Sequence, residues 1–286
     1  MDFATFVNNK KSQSTAIDNV EYAFSYDRLT RTGFKYMKPV EWAMSAAIRY
    51  FKYWEKNKLL ASSVRVSDKQ FPRVYSLLKT AASTLNIPIP TMYITSNPQM
   101  NAATFGTNED SFIIVHSSLI DHFTDEEFLD VIGHECGHIQ NGHVVALTTL
   151  YFLTNLTSVF VEWIAFPAEL ALQAWSRICE VSADRAALLI SKDIDVSVRA
   201  NIKLALGSQK LYDQINVEEY MTQYEDGKTG IGRFFELYNS HPTLPKRCAA
   251  LKVFAETELY RKHVGLTGGI SMVECDERVN RIISVL

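Results

Sequence analysis

Five residues constrain this chain more than any others: His134-Glu135-Cys136-Gly137-His138, inside a helical pattern that starts near Thr124. On a helix, side chains four residues apart point the same way, so both imidazoles can reach one metal ion. The glutamate beside the first histidine lies about 100° round the helix, close enough to handle a water on that ion without being a ligand. A chain of this length and composition matches H-E-x-x-H by chance roughly once in a hundred cases. The rest of the chain must therefore supply what two histidines lack.

The metal helix has a clear start. Thr124-Asp125-Glu126-Glu127 forms the sequence pattern of a capping box, and acidic residues suit a helix N-terminus. Its end is less plain. Val144 to Val161 holds no charged residue for eighteen positions, which is near the minimum for a membrane span. Thr148, Thr149, Thr154, Asn155, Thr157 and Ser158 punctuate that run, which favours packing within a protein over contact with lipid. A helix from His134 to Val161 would be about 40 Å long. A turn at Phe166-Pro167, bracketed by Glu162 and Glu169, then sends a second helix back from about Ala168. The expectation is a long antiparallel hairpin whose second arm passes the two histidines.

Upstream, residues 1 to about 35 are polar, mixed in sign and without period, and read as a disordered or surface-wrapping segment. Pro39 to Leu60 reads as a basic, aromatic helix carrying Trp42, Ile48, Phe51 and Trp54. It is too charged to span a bilayer; it packs on its own domain or lies on an anionic membrane surface. Short strands follow at Val64–Val66, Met92–Thr95, Asn101–Gly106 and Phe112–Val115, with a helix over Lys69–Leu85 that Ile87-Pro88-Ile89-Pro90 stops. Downstream, Val196–Tyr212 reads as an amphipathic helix, Thr222–Gly232 as a loop able to gate a cleft, Phe234–Tyr238 as renewed order, and His241–Pro245 as a turn. Lys246–Lys262 reads as a last long helix. The fold class is α+β, mainly helical, with a small sheet beside the metal helix. The division is 1–61, an N-terminal helical and extended segment packed on the core; 62–263, the metal-binding domain; and 264–286, a C-terminal tail.

A catalytic zinc normally takes three protein ligands and a water. His143, Glu180, His241 and a cysteine are the candidates for the third. His143 would suit H-E-x-x-H-x-x-G-x-x-H, but Gly142 and His143 each fall one position off that pattern. Glu180 fits better, because it sits on the returning arm of the hairpin. Asp184, one turn further on the same face, can accept a hydrogen bond from a ligand imidazole and so fix its tautomer. Cys136 and Cys179 flank site residues but occupy other helix positions, as small buried packing groups do.

With these residues in view, the chain resembles the HtpX-like and CAAX-prenyl-protease-like zinc metallopeptidases, a gluzincin group, over about residues 62 to 255. The resemblance rests on Asn101-Ala102-Ala103-Thr104-Phe105-Gly106, the capped His134–His138 helix, Glu180 with Asp184, and His241-Pro242 followed by Arg247. It implies one zinc ion on His134, His138 and Glu180, Asp184 behind them, and Asn101, Ala102, Ala103 and Thr104 on an edge strand where a polypeptide substrate adds as an extra strand. Hydrolysis of internal peptide bonds follows: zinc polarises the carbonyl and acidifies a water, and Glu135 takes that water's proton. His241 is the expected donor to the oxyanion, and Arg247 orients His241 or binds substrate. The chain departs from membrane-embedded relatives in having no N-terminal transmembrane pair and a more polar hairpin. A restrained or chaperone-like zinc protein is the alternative, and the presence of Glu135 gives it no support.

Bulk properties narrow the partners. A net charge of −3 gives no basic face for nucleic acid. The four cysteines are widely spaced with no C-x-x-C pair, against a disulfide scaffold and in keeping with a reducing compartment. The start MDFATFVNNKKSQST has no apolar core of a secretory signal. A cytoplasmic location, free or membrane-associated, is expected, with a peripheral membrane contact and a homo-oligomer left open by the hairpin.

Overall fold

The computed structural model describes residues 20–34, 43–46, 57, 61–107, 110–155, 159–212, 214–226 and 242–284. In chain order the elements are α1 (Ser25–Phe34), β1 (Ser63–Arg65), α2 (Pro72–Thr84), β2 (Thr91–Thr95), β3 (Ala102–Gly106), β4 (Ser111–His116), α3 (Ser117–His122) and α4 (Asp125–Gln140). They continue with α5 (Val144–Asn155), α6 (Val159–Ser191), α7 (Ile194–Leu206), α8 (Gln209–Tyr212), α9 (Val217–Asp226), α10 (Leu244–Ala255), α11 (Glu258–His263) and α12 (Met272–Ile283). This is the mainly helical α+β class expected.

The sheet has the order β1-β2-β4-β3. β2 and β4 run parallel, with Thr91 opposite Phe112, while β3 pairs antiparallel with β4, Ala102 opposite Val115. β3 therefore lies at an edge. Alternate residues of β4 face opposite sides, as the two-residue period of a strand requires. Ile113 and Val115 join the main core with Met92 and Leu119, whereas Phe112 and Ile114 pack on Phe152 of α5. β4 is thus buried on both faces, and α5 covers the second one.

The metal helix α4 starts as the sequence indicates. The Thr124 hydroxyl accepts from the Glu127 amide, and Glu127 Oε2 accepts from the Thr124 amide at 3.0 Å. Glu127 is itself buried and takes Lys203 Nζ at 2.7 Å and Arg199 Nε at 2.9 Å, which fastens α7 to the start of α4. Along its length α4 packs chiefly on α6. A Cβ on Gly137 would stand 2.6 Å from the Ala186 Cβ and 3.1 Å from the Ala183 Cα. These small residues bring the two backbones close enough for side chains of α6 to meet those of α4.

The end of α4 differs from the expectation of one helix running to Val161. It stops at Asn141, and Gly142 takes φ 70. The Gly142 amide donates to the Ile139 carbonyl at 3.1 Å and the His143 amide to the His138 carbonyl at 3.0 Å, the paired bonds of a Schellman motif. An Asn-Gly pair at a helix end is a stop signal because glycine enters the left-handed region without steric cost; the apolar run beyond it masks that signal. The hairpin exists, but its first arm is α5 alone. Nor does the chain turn at Phe166-Pro167, since α6 already runs from Val159 with Pro167 inside it.

Three further readings are corrected. The stretch Val196–Tyr212 is two helices, because Gly207 caps α7. Lys246–Lys262 is broken at Thr257, whose hydroxyl caps α11, while Glu256 and Glu258 pair with Ile270 through backbone hydrogen bonds. Finally, Val20, Tyr22, Ala23 and Phe24 are buried in the main core, and α1 follows directly. Four apolar residues next to a polar helix are too short a run to show a period, so the segment reads as surface. The helix expected over Pro39–Leu60 lies outside the described residues except at 43–46 and 57, and Ala43 is buried with Leu150, Leu172 and Trp175. Among the described residues, no helix is long and apolar enough to cross a membrane.

Candidate metal centre and cleft

His134 and His138 occupy successive turns of α4, and Glu180 reaches them from α6. His134 Nε2 lies 3.1 Å from His138 Nε2 and 3.4 Å from Glu180 Oε2, and His138 Nε2 lies 3.5 Å from Glu180 Oε1. Ligands on a tetrahedral zinc ion, with bonds of about 2.0–2.1 Å, stand ~3.3 Å apart. Two imidazole nitrogens and a carboxylate at these separations fit that ion and leave a side open. Asp184 accepts from His134 Nδ1 at 3.0 Å, so the Nε2 atom is the one turned to the metal. Arg247, carried by α10, places Nε 2.9 Å from Asp184 Oδ2 and Nη1 3.1 Å from Glu180 Oε2. The guanidinium thus braces the carboxylates around the histidines, a place that its spacing in the sequence could not indicate. His241 and most of Thr222–Gly232 lie outside the described residues.

The electrostatics follow from packing these charges together under cover. Burial alone would push the His134 imidazolium down, but Glu180 and Asp184 outweigh it and hold the group up to about 10. Burial lowers His138, with Glu180 opposing. Burial would raise the Asp184 carboxyl, yet the adjacent Arg247 holds it below its ordinary value. Burial likewise works against Arg247, and Asp184 and Glu180 more than compensate. One turn before His134, Asp130 is pushed up to about 6 by burial, against hydrogen bonds from Ser197 and Ser191; the sequence reading did not single it out.

A cleft of about 510 Å³ opens over the site. It is lined by Asn101 to Phe105, the edge strand and the residue before it, by Leu147, Leu150 and Tyr151 of α5, and by His134, Glu135, His138 and Glu180. Thr104 is buried, and its hydroxyl donates to Glu135 Oε2 at 2.6 Å. The four strand residues picked from the sequence are thus brought to the metal residues, and Thr104 touches the candidate base directly.

All four cysteines are buried, and none forms a disulfide. Burial raises the Cys136 thiol and pushes Cys248 up to about 12, as expected of packing groups rather than reactive ones. His143, which the sequence reading set aside as a ligand, stands immediately behind His138, and Asp27, which that reading did not single out, stands behind His143. The fold-back at Gly142 could have marked His143. No local pattern marks Asp27, which lies 111 residues before His138 in the chain.

Comparison with known proteins agrees with this geometry. Residues 68–255 match the model of peptidase family M48. One curated relative, the plastoglobule-localized metallopeptidase 48, chloroplastic, of Arabidopsis thaliana, is 38% identical over 168 residues, which is 57% of this chain and 49% of the relative. The chain thus spans about half the length of that relative. The family match takes in every element that lines the cleft, from β3 to α10, and this chain belongs to peptidase family M48.

Proposed function

We propose that the chain is a zinc-dependent endopeptidase of polypeptides, with one ion on His134, His138 and Glu180. The observation that carries this reading is the meeting of those three donors beside Glu135 at the foot of an edge strand. A zinc ion held there supplies Lewis acidity, which acidifies a water and polarises the scissile carbonyl. The residues of the chain do the rest. β3 offers its unpaired edge to an extended peptide, so backbone hydrogen bonds align a substrate without reading its side chains. Glu135 accepts the proton of the attacking water and returns it to the leaving amine. Thr104 holds the Glu135 carboxylate in place, and the Arg247–Asp184 pair holds His134. His241 is the candidate donor to the oxyanion, by its place in the family pattern.

Unfolded casein is the test substrate, compared between wild type and Glu135→Gln with metal analysis of both. Zinc in both proteins with cleavage by wild type alone is the expected result. Equal cleavage would remove Glu135 from the mechanism, and a zinc-loaded wild type that cuts nothing would favour the restrained or chaperone-like reading. A peripheral membrane contact is a second element of the proposal, and the exposed Phe166 and Leu170 on the hairpin support it. Flotation with anionic vesicles checks it, and a protein that stays at the bottom of the gradient rejects it.

A further inference from the structure

His143 is fully buried, and both of its ring nitrogens are engaged. Nδ1 lies 2.9 Å from His138 Nδ1, and Nε2 lies 2.8 Å from Asp27 Oδ2. A ligand imidazole that binds metal through Nε2 must carry its proton on Nδ1. His138 then donates to His143 Nδ1, and the proton of His143 sits on Nε2, where it donates to Asp27. Only this pair of tautomers satisfies all the contacts with both rings neutral. The carboxylate at the end is fixed in turn: Trp175 Nε1 donates to Asp27 Oδ1 at 2.9 Å and the Ser182 hydroxyl to Oδ2 at 2.7 Å. Trp175 also stands edge-on against the His143 ring, with centroids 5.3 Å apart.

Backbone features outside the metal ligands put both residues there. The Schellman turn at Gly142 folds the chain so that His143 comes back beneath His138. The segment before α1 is tied to the core by Arg185 Nη1, which donates to the Tyr22 carbonyl, and by the Ser25 amide, which donates to Asp276.

We infer that Asp27 and His143 are positioning residues for the metal, a buried relay that fixes the tautomer and ring angle of His138 as Asp184 does for His134. The N-terminal segment is then part of the metal centre, although it precedes the span that matches the family. The inference rests on the reading of His138 as a ligand. Asp27, His143 and Cys179 are also close enough together to hold an ion of their own. However, the hydrogen bonds from Trp175, Ser182 and His143 already fill the Asp27 carboxylate, which favours the relay.

Removing such a support typically weakens metal binding about 10–100-fold. The test measures zinc affinity by competition with a chromophoric chelator, and the visible spectrum of the cobalt-substituted protein, in wild type, Asp27→Asn, His143→Asn, Tyr22→Phe and His134→Ala. Asp27→Asn and His143→Asn are expected to lose about 10–100-fold in affinity and to shift the cobalt bands. Tyr22→Phe, which releases Gln140 and Asn141 on the same segment, should bind as wild type does. If Asp27→Asn fails to fold, His143→Asn carries the same test with the contacts of Asp27 to Trp175 and Ser182 in place. Folded relay variants with unchanged affinity and spectrum would overturn the inference while leaving the ligand reading intact. Wild-type affinity in His134→Ala would overturn the ligand reading and the relay with it. Two zinc ions per wild-type chain, falling to one in Cys179→Ser, would assign the trio to a second ion and overturn the relay.

Discussion

At the scale of residues, the centre is governed by what each charged group has beside it. Glu135 takes a hydrogen bond from Thr104 at 2.6 Å. A hydrogen bond to a charged group contributes about 1.5–3 kcal/mol. Thr104→Val keeps the shape and removes the donor, so kcat on casein should fall about 10–100-fold, with zinc content unchanged; steady-state kinetics check this. His134 gives a second prediction. Its proton is held up to about 10 by Glu180 and Asp184 in the metal-free protein, and zinc must displace it. Apparent zinc affinity should therefore rise with pH, by about tenfold per unit up to that value for this one group. Chelator competition at pH 6, 7 and 8 measures the slope, and a flat profile would mean that His134 does not exchange its proton for the metal.

Elements set the distances. Gly137→Ala isolates this effect, because two terms oppose. Replacing a glycine inside a helix gains about 1 kcal/mol in propensity. The added Cβ, however, would stand 2.6 Å from that of Ala186, and overpacking of this kind costs about 1–3 kcal/mol. The second term wins when α4 and α6 cannot part. Denaturant unfolding of the metal-free variant should then show a net loss of up to about 2 kcal/mol, with weaker zinc binding because Glu180 moves off with α6. This scale also shows what the sequence made legible. The capping box at Thr124, the four strands and the site pair on a returning helix were readable because each rests on a local pattern. The stop at Asn141-Gly142 was local too, yet the apolar residues that follow suggested continuity, and Pro167 suggested a turn that α6 runs through. Those errors did not displace Glu180, because two antiparallel helices packed through small residues meet there however the first one ends.

For the whole molecule, the candidate metal site gathers parts that are distant in sequence: α4 and α6 through His134, His138 and Glu180, α10 through Arg247, and α1 through Asp27. Only the first of these links could be read from spacing. Arg247 and Asp27 meet the site through tertiary contacts that no periodicity records, and the donor role of His241 came from resemblance alone. A ligand that binds the folded state alone stabilises it by about 4 kcal/mol at a thousandfold excess over Kd. At ~2–4 °C per kcal/mol for a chain of this size, chelation should lower Tm by roughly 8–16 °C, and calorimetry with and without a chelator checks it. The most direct test of the central claim is an anomalous difference map at the zinc edge from crystals of the full chain. One peak per chain is predicted, about 2.0–2.1 Å from His134 Nε2 and His138 Nε2 and bonded to the Glu180 carboxylate. A peak confined to Asp27, His143 and Cys179, or none in a folded, zinc-supplied protein, would contradict it.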